Sequence, residues 1–276
     1  MKPKTLILKT AGINCDEELA HGFTLAGADT EYIHINELVR GERTIDEFDI
    51  IGFPGGFSYG DDLSAGRVLA TEFNAHLVRD LLEFYDRGGL IIGICNGFQV
   101  LVKARILPDP NDLRADSDSG PRATLFWNDS GKFEDRWTTL RVETNTKCVW
   151  TKGLPKLVEF PIAHAEGKFI PASDEVLQNL TDNGQIVFRY CDPSNPDACE
   201  TQDVPYPLKP NGSVANIAGI TDPSGRVLGL MPHPERFLYP ENHPRWTRDE
   251  SDGKVDGLPL LANAVEYVKE AQGLKV

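Results

Sequence analysis

The chain has 276 residues, enough to bury a substantial core without metal or disulfide staples, and sets 28 basic against 42 acidic side chains for a formal charge of −14. That excess of negative charge disfavours binding to nucleic acid or to anionic membrane surfaces. The apolar run at the amino terminus is too short for a signal peptide, and no stretch approaches the ~20 apolar residues that span a bilayer. Five cysteines in no regular framework read as free thiols, so a cytosolic location is expected.

In chain order, β-rich runs at 5–9, 30–35, 48–53 and 90–94 alternate with helical patterns at 15–25 and 65–89. Such alternation is the signature of βαβ units around a parallel sheet. In the second helical pattern Val68, Leu69, Phe73, Leu77, Leu81 and Leu82 recur at helical spacing, and Gly88-Gly89 supplies the stop. That face is read as core and carries no function. After Leu107 the texture changes, and 108–122 reads as an exposed acidic loop. Asp116, Asp118 and Gly120 have the spacing of a calcium loop, but the twelfth position from Asp116 is Trp127 rather than a glutamate, so calcium is not expected. Strand-like runs follow at 123–128, 137–144 and 158–164, then a short helix near 173–180 and a strand at 185–190. A loop rich in Pro, Asp and Asn at 191–212 precedes strands at 214–220 and 227–232, a polar stretch at 239–257, and a closing helix at 258–272. The expectation is one α/β domain over 1–276 with an added antiparallel portion and insertions at 108–122, 191–212 and 239–257.

Cys95 stands where the buried run "LIIGI" meets the helical pattern "NGFQVLV". Strand, nucleophile and helix in succession form the elbow of α/β hydrolases, and G-x-C-x-G is G-x-S-x-G with sulfur in place of oxygen. A helix amino terminus favours a thiolate. Taken alone, the same pattern also fits a packed core cysteine. A thiol nucleophile needs a base, and the base an orienter. "MPHPER" offers His233 with Glu235 two residues on, which in extended backbone projects to the same side, with an exposed turn after a strand as the lesser alternative. In "FPGGFSYGDD", Gly55-Gly56 lets main-chain N–H groups approach a ligand, and a plain tight turn or a phosphate loop competes with that reading. The phosphate-loop fingerprints are absent.

Together, "PGGFSYGDD", "GICNGFQ", "PIAHAEGKF", "NGSVANIAGI" and "GLMPHPER" fall in one order that resembles class I glutamine amidotransferases, and within them the glutaminase subunits of phosphoribosylformylglycinamidine synthases. The resemblance covers most of the chain, including "GINCDEE". It implies a flavodoxin-like doubly wound, mostly parallel sheet and a triad of Cys95, His233 and Glu235. It further implies oxyanion-hole N–H groups from Gly56 and Asn96, and a glutamine pocket involving Gln99, His164, Glu166 and Gly167. Cys15 sits in a family-like motif but lacks the strand-to-elbow context, and is not read as the nucleophile. The implied activity is glutamine hydrolysis, with ammonia passed to a separate synthetase subunit that makes formylglycinamidine ribonucleotide, alongside room for a small accessory subunit. No cofactor or metal is expected in this chain; ATP and magnesium are expected on the partner.

Three other readings compete. A metal-dependent hydrolase could draw ligands from His164, Glu166, His233 and Glu235 but leaves the elbow unexplained. In related cysteine hydrolases of this core a histidine commonly follows the nucleophile, where this chain has Asn96. A degenerate scaffold is expected to have lost a member of the triad.

Overall fold

The computed structural model describes residues 2–114, 120–248 and 254–273; Asp116 and Asp118, and with them the calcium-loop spacing, lie outside the described residues. The first half runs β1 (Lys4–Lys9), α1 (Asp16–Leu25), β2 (Asp29–His34), α2 (Ile35–Val39), β3 (Ile50–Phe53), α3 (Arg67–His76), α4 (Val78–Asp86), β4 (Leu90–Ile94) and α5 (Asn96–Lys103). The second runs β5 (Ala123–Phe126), β6 (Glu134–Val142), β7 (Leu157–His164), β8 (Lys168–Pro171), α6 (Asp174–Asp182), β9 (Ile186–Tyr190), β10 (Ile217–Thr221), β11 (Val227–Leu230) and α7 (Gly257–Ala271).

Nine strands form one sheet in the order β2-β1-β3-β4-β11-β10-β9-β6-β7, and β5 pairs with β8 in a separate two-stranded sheet. From β2 to β11 every pairing is parallel, and from β11 to β7 every pairing is antiparallel. The parallel part has the flavodoxin-like order, with an antiparallel extension joined to it. Its inner strands β3, β4 and β11 are buried at every residue, as strands covered on both faces must be. The glycines show what covers them: a Cβ at Gly52 would strike Leu19 of α1, whereas one at Gly93 would strike Leu101 of α5. Gly52 is in register with Ile92, one residue away from Gly93, so these two glycines face opposite sides and α1 and α5 lie on opposite faces.

All five parallel strands end at one edge, so the segments after β1, β3, β4 and β11 emerge together there. The extension folds back onto the same edge. His233 N, just past β11, donates to Pro161 O of β7 at 2.8 Å, and the Cys95 thiol donates to Ala163 O at 3.6 Å.

Several elements depart from the sequence expectation. The helix expected over 65–89 is two helices, α3 and α4, meeting at Leu77 with φ −123°; the apolar spacing continues across the joint. The strand expected at 214–220 starts at Ile217, after a turn in which Ala215 and Asn216 take φ of +49° and +58°. Within 191–212, a 3₁₀ turn at Pro196–Glu200 packs Cys199 with Cys191 and Val204 in a small apolar cluster. All five cysteines are free and buried. No helix among the described residues is long and apolar enough to cross a membrane.

Candidate active site

Cys95 closes β4 and opens α5 with φ +51° and ψ −104°, a left-handed conformation that few non-glycine residues adopt. Its N–H donates to Leu230 O at 2.8 Å, which carries the β4–β11 ladder up to the elbow. The turn needs Gly97, because a Cβ there would lie 1.9 Å from Phe53 O. The result is a thiol fixed above the strand ends at the amino terminus of α5.

His233 and Glu235 follow β11, with Glu235 in a short 3₁₀ turn at Pro234–Arg236. His233 Nδ1 and Glu235 Oε1 are 2.6 Å apart, and both residues are buried. Burial opposes charge on the imidazole, but Glu235, the Cys95 thiol and the Cys15 thiol outweigh it and hold His233 well above its ordinary value. His233 Nε2 has no hydrogen-bond partner, which leaves it available to a reacting group.

Gly56, at φ +145°, lies against Ile13 in an antiparallel bridge made by Asn14 N to Gly55 O and Phe57 N to Gly12 O. The Gly56 N–H takes no part in that bridge. Asn96 is the first residue of α5, whose leading N–H groups lack intrahelical acceptors. The Asn96 side chain braces the neighbourhood: Oδ1 accepts from Ser58 N at 3.2 Å, and Nδ2 donates to Asp61 Oδ1 at 3.2 Å and Gln99 Oε1 at 3.0 Å. Tyr59, Gly60 and Asp61 all take positive φ, so this loop is held in shape by such contacts.

The remaining expected pocket residues form a connected wall. Gln99 Nε2 donates to Glu166 O at 2.7 Å, so its amide is engaged by protein on both sides. The Glu166 carboxylate accepts from Ala65 N at 3.2 Å and pairs with Lys103 at 3.5 Å, facing the loop before α3. His164 Nδ1 lies 3.1 Å from Asn128 Oδ1, and burial, with His233 nearby, pushes the imidazole down to about 3. Gly167 packs flat on the His164 ring, and its carbonyl accepts from Asn211 Nδ2 at 2.8 Å.

Sequence reasoning missed four participants. Cys15 abuts His233, Arg236 donates to the Cys15 sulfur at 3.0 Å, Asn128 holds His164 and Gly167, and Asn211 anchors Gly167 from the end of the 191–212 segment. Cys15 had a signal in "GINCDEE", Arg236 in "GLMPHPER" and Asn211 in "NGSVANIAGI"; Asn128 had none. The metal reading from His164, Glu166, His233 and Glu235 does not survive. Glu166 turns to Ala65 and Lys103, and among the described residues the one group with metal-compatible spacing is Cys15, His233 and Glu235.

The chain matches the CobB/CobQ-like glutamine amidotransferase domain over residues 2–268. A Dehalococcoides mccartyi protein named phosphoribosylformylglycinamidine synthase subunit PurQ is 47% identical over 269 residues, covering 98% of this chain and 99% of that one. A protein of the same name from Treponema denticola is 43% identical over 277 residues, covering 97% and 100%. Among solved structures, a chain in the structure of PurLQS from Thermotoga maritima has a TM-score of 0.70 at 31% identity, covering 98% of this chain and 100% of its own.

Proposed function

The chain belongs to the CobB/CobQ-like glutamine amidotransferase family, and from that premise we propose that it is the glutaminase subunit of a phosphoribosylformylglycinamidine synthase. The observation that carries the reading is the strained Cys95 elbow beside a buried His233–Glu235 pair. The Cys95 thiol gives its proton to His233, and Sγ attacks the side-chain amide carbon of glutamine, forming a C–S bond as the carbonyl electrons move onto oxygen. Gly56 N–H and Asn96 N–H receive that negative charge. The imidazolium of His233 gives its proton to the amide nitrogen, the C–N bond breaks, and ammonia leaves a thioester on Cys95. Water then loses a proton to His233 and attacks the thioester; the C–S bond breaks, glutamate departs, and the thiol is restored. Glu235 keeps the ring oriented and steadies its charge. Gln99, His164, Glu166 and Gly167 form the wall against which glutamine lies.

The ammonia passes to the partner synthetase, with which a small accessory subunit also assembles. That partner binds ATP and magnesium and converts formylglycinamide ribonucleotide to formylglycinamidine ribonucleotide. A cytosolic location goes with this reading, as does a single domain over 1–276 with insertions at 108–122, 191–212 and 239–257. The test is Cys95→Ser in the assembled complex. Glutamine-dependent synthesis should be lost while synthesis from added ammonia persists. Retention of glutamine-dependent synthesis would remove Cys95 from the reaction.

A further inference from the structure

Cys15 is buried, lies outside the steps just described, and yet sits against their base. It follows β1 at the same sheet edge as the elbow and stands at the N-cap position of α1, where its side chain makes no capping bond. Its N–H donates to Gly55 O at 3.2 Å, which ties the start of α1 to the Gly55-Gly56 turn. Its thiol donates to Asn14 Oδ1 at 3.2 Å and accepts from Arg236 Nη2 at 3.0 Å. The sulfur, a ring nitrogen of His233 and a carboxylate oxygen of Glu235 lie within 4.8 Å of one another. Sulfur and ring also converge on one point: a Cβ at Gly55 would lie 2.7 Å from His233 Cε1 and 3.2 Å from Cys15 Sγ. Thiol, imidazole and carboxylate together suit a soft divalent cation. The Arg236 guanidinium on the sulfur places a positive charge at that spot, so the cluster acts instead as a hydrogen-bonded brace.

We infer that Cys15 is a positioning residue for the triad: held by Arg236 and Asn14, its sulfur backs the His233 imidazole and keeps the ring aligned between Glu235 and Cys95. The inference rests on the glutaminase reading. The charged and titratable groups acting on His233 are Glu235 from its own segment, Cys95 from the elbow, His164 from β7 and Cys15 just before α1, while Arg236 acts on Cys15 and Glu235, and Glu18 of α1 acts on Arg236. Loss of the sulfur removes a partner that favours the imidazolium and leaves Arg236 without its acceptor. The protonated base is then weakened and the ring gains room.

The test uses the complex assembled with the synthetase, and measures glutaminase kcat and KM across pH for Cys15→Ala, Cys15→Val and Cys15→Ser. Val keeps the volume without a polar atom, whereas Ser keeps donors and acceptors for Arg236 and Asn14. Ala and Val should lower kcat about tenfold with KM for glutamine little changed, and move the alkaline limb of the kcat profile to lower pH. Ser should restore most of both. If Ala does not fold, the contrast of Val with Ser decides. A limb that stays in place in Val, or a Val variant as active as wild type, overturns the inference. Wild type and Cys95→Ala in parallel separate the two levels: a wild-type complex that does not hydrolyse glutamine means that the glutaminase reading has failed, persistent activity in Cys95→Ala means that Cys95 is not the nucleophile the brace serves, and activity lost only in Cys95→Ala leaves the Cys15 variants to judge the brace.

Discussion

His233 and His164 sit near one another and are pushed in opposite directions. Burial opposes charge on both, but Glu235 and two thiols reverse the outcome at His233, while His164 has only a neutral amide on Nδ1. Because the folded His233 value is raised, its protonated form contributes stability fully present below the unfolded value near 6.5 and lost as pH rises through the folded value. His164 has the other sign: its stability is present above the unfolded value and lost as pH falls toward about 3. Glu235→Gln should therefore destabilise most at about pH 6, and the gap from wild type should shrink as pH rises. Thermal melting across pH checks this, and a gap that widens with pH contradicts the assigned ion pair. At this scale the proposed triad was legible because each member stands in a short local pattern. Asn128 was not, because it acts on His164 and Gly167 from a distant segment that carries no mark of the contact, and Asn211, although it opens "NGSVANIAGI", stands in a motif that does not say which residue it holds.

Helix α5 does more than aim Cys95. Its last residue, Lys103, has its side chain largely buried beside Glu166, donates to Ser64 Oγ at 2.6 Å, and so joins α5, the loop before α3 and the segment after β7. Burial pushes the Lys103 amine down, with Glu166 opposing. Removing one member of a buried pair leaves the other charge uncompensated, so Lys103→Met should cost about 3–5 kcal/mol in denaturant unfolding. Adding Glu166→Leu should recover part of that loss. A single-variant loss below about 1 kcal/mol would mean that the pair is well solvated. The alternation of strands and helices was readable because the inner strands are apolar at every position. The break at Leu77 was hidden by apolar spacing that runs unbroken from Phe73 to Leu81. The 191–212 segment reads as a polar insertion from composition, yet its end delivers Asn211 to Gly167, a role that composition does not encode.

At the scale of the molecule, the parallel half gathers four loops at one edge and the antiparallel half bends back to cover them. Cys95 is 4% exposed, His233 1% and Glu235 2%, so on the proposed reading the cover has to shift for glutamine to reach the thiol. A cavity of about 680 Å³ between Val142–Lys156 and α7 includes none of the triad and does not substitute for that opening. On the proposed reading, docking of the synthetase supplies that shift. The isolated chain should therefore hydrolyse glutamine with a much lower kcat/KM than the assembled complex, as ammonia or glutamate release will report. Equal activity in both states would mean that the closed arrangement opens unaided. Composition and charge foretold none of this closure, because it rests on contacts between segments far apart in the chain, Pro161 with His233 and Ala163 with Cys95. The nucleophile itself is tested most directly by treating the complex with a glutamine-analogue alkylator and mapping the adduct by mass spectrometry. One adduct per chain on Cys95, abolished by excess glutamine, is the predicted result. Labelling of Cys15 instead, or an unmodified Cys95 in a complex that still consumes glutamine, would contradict it.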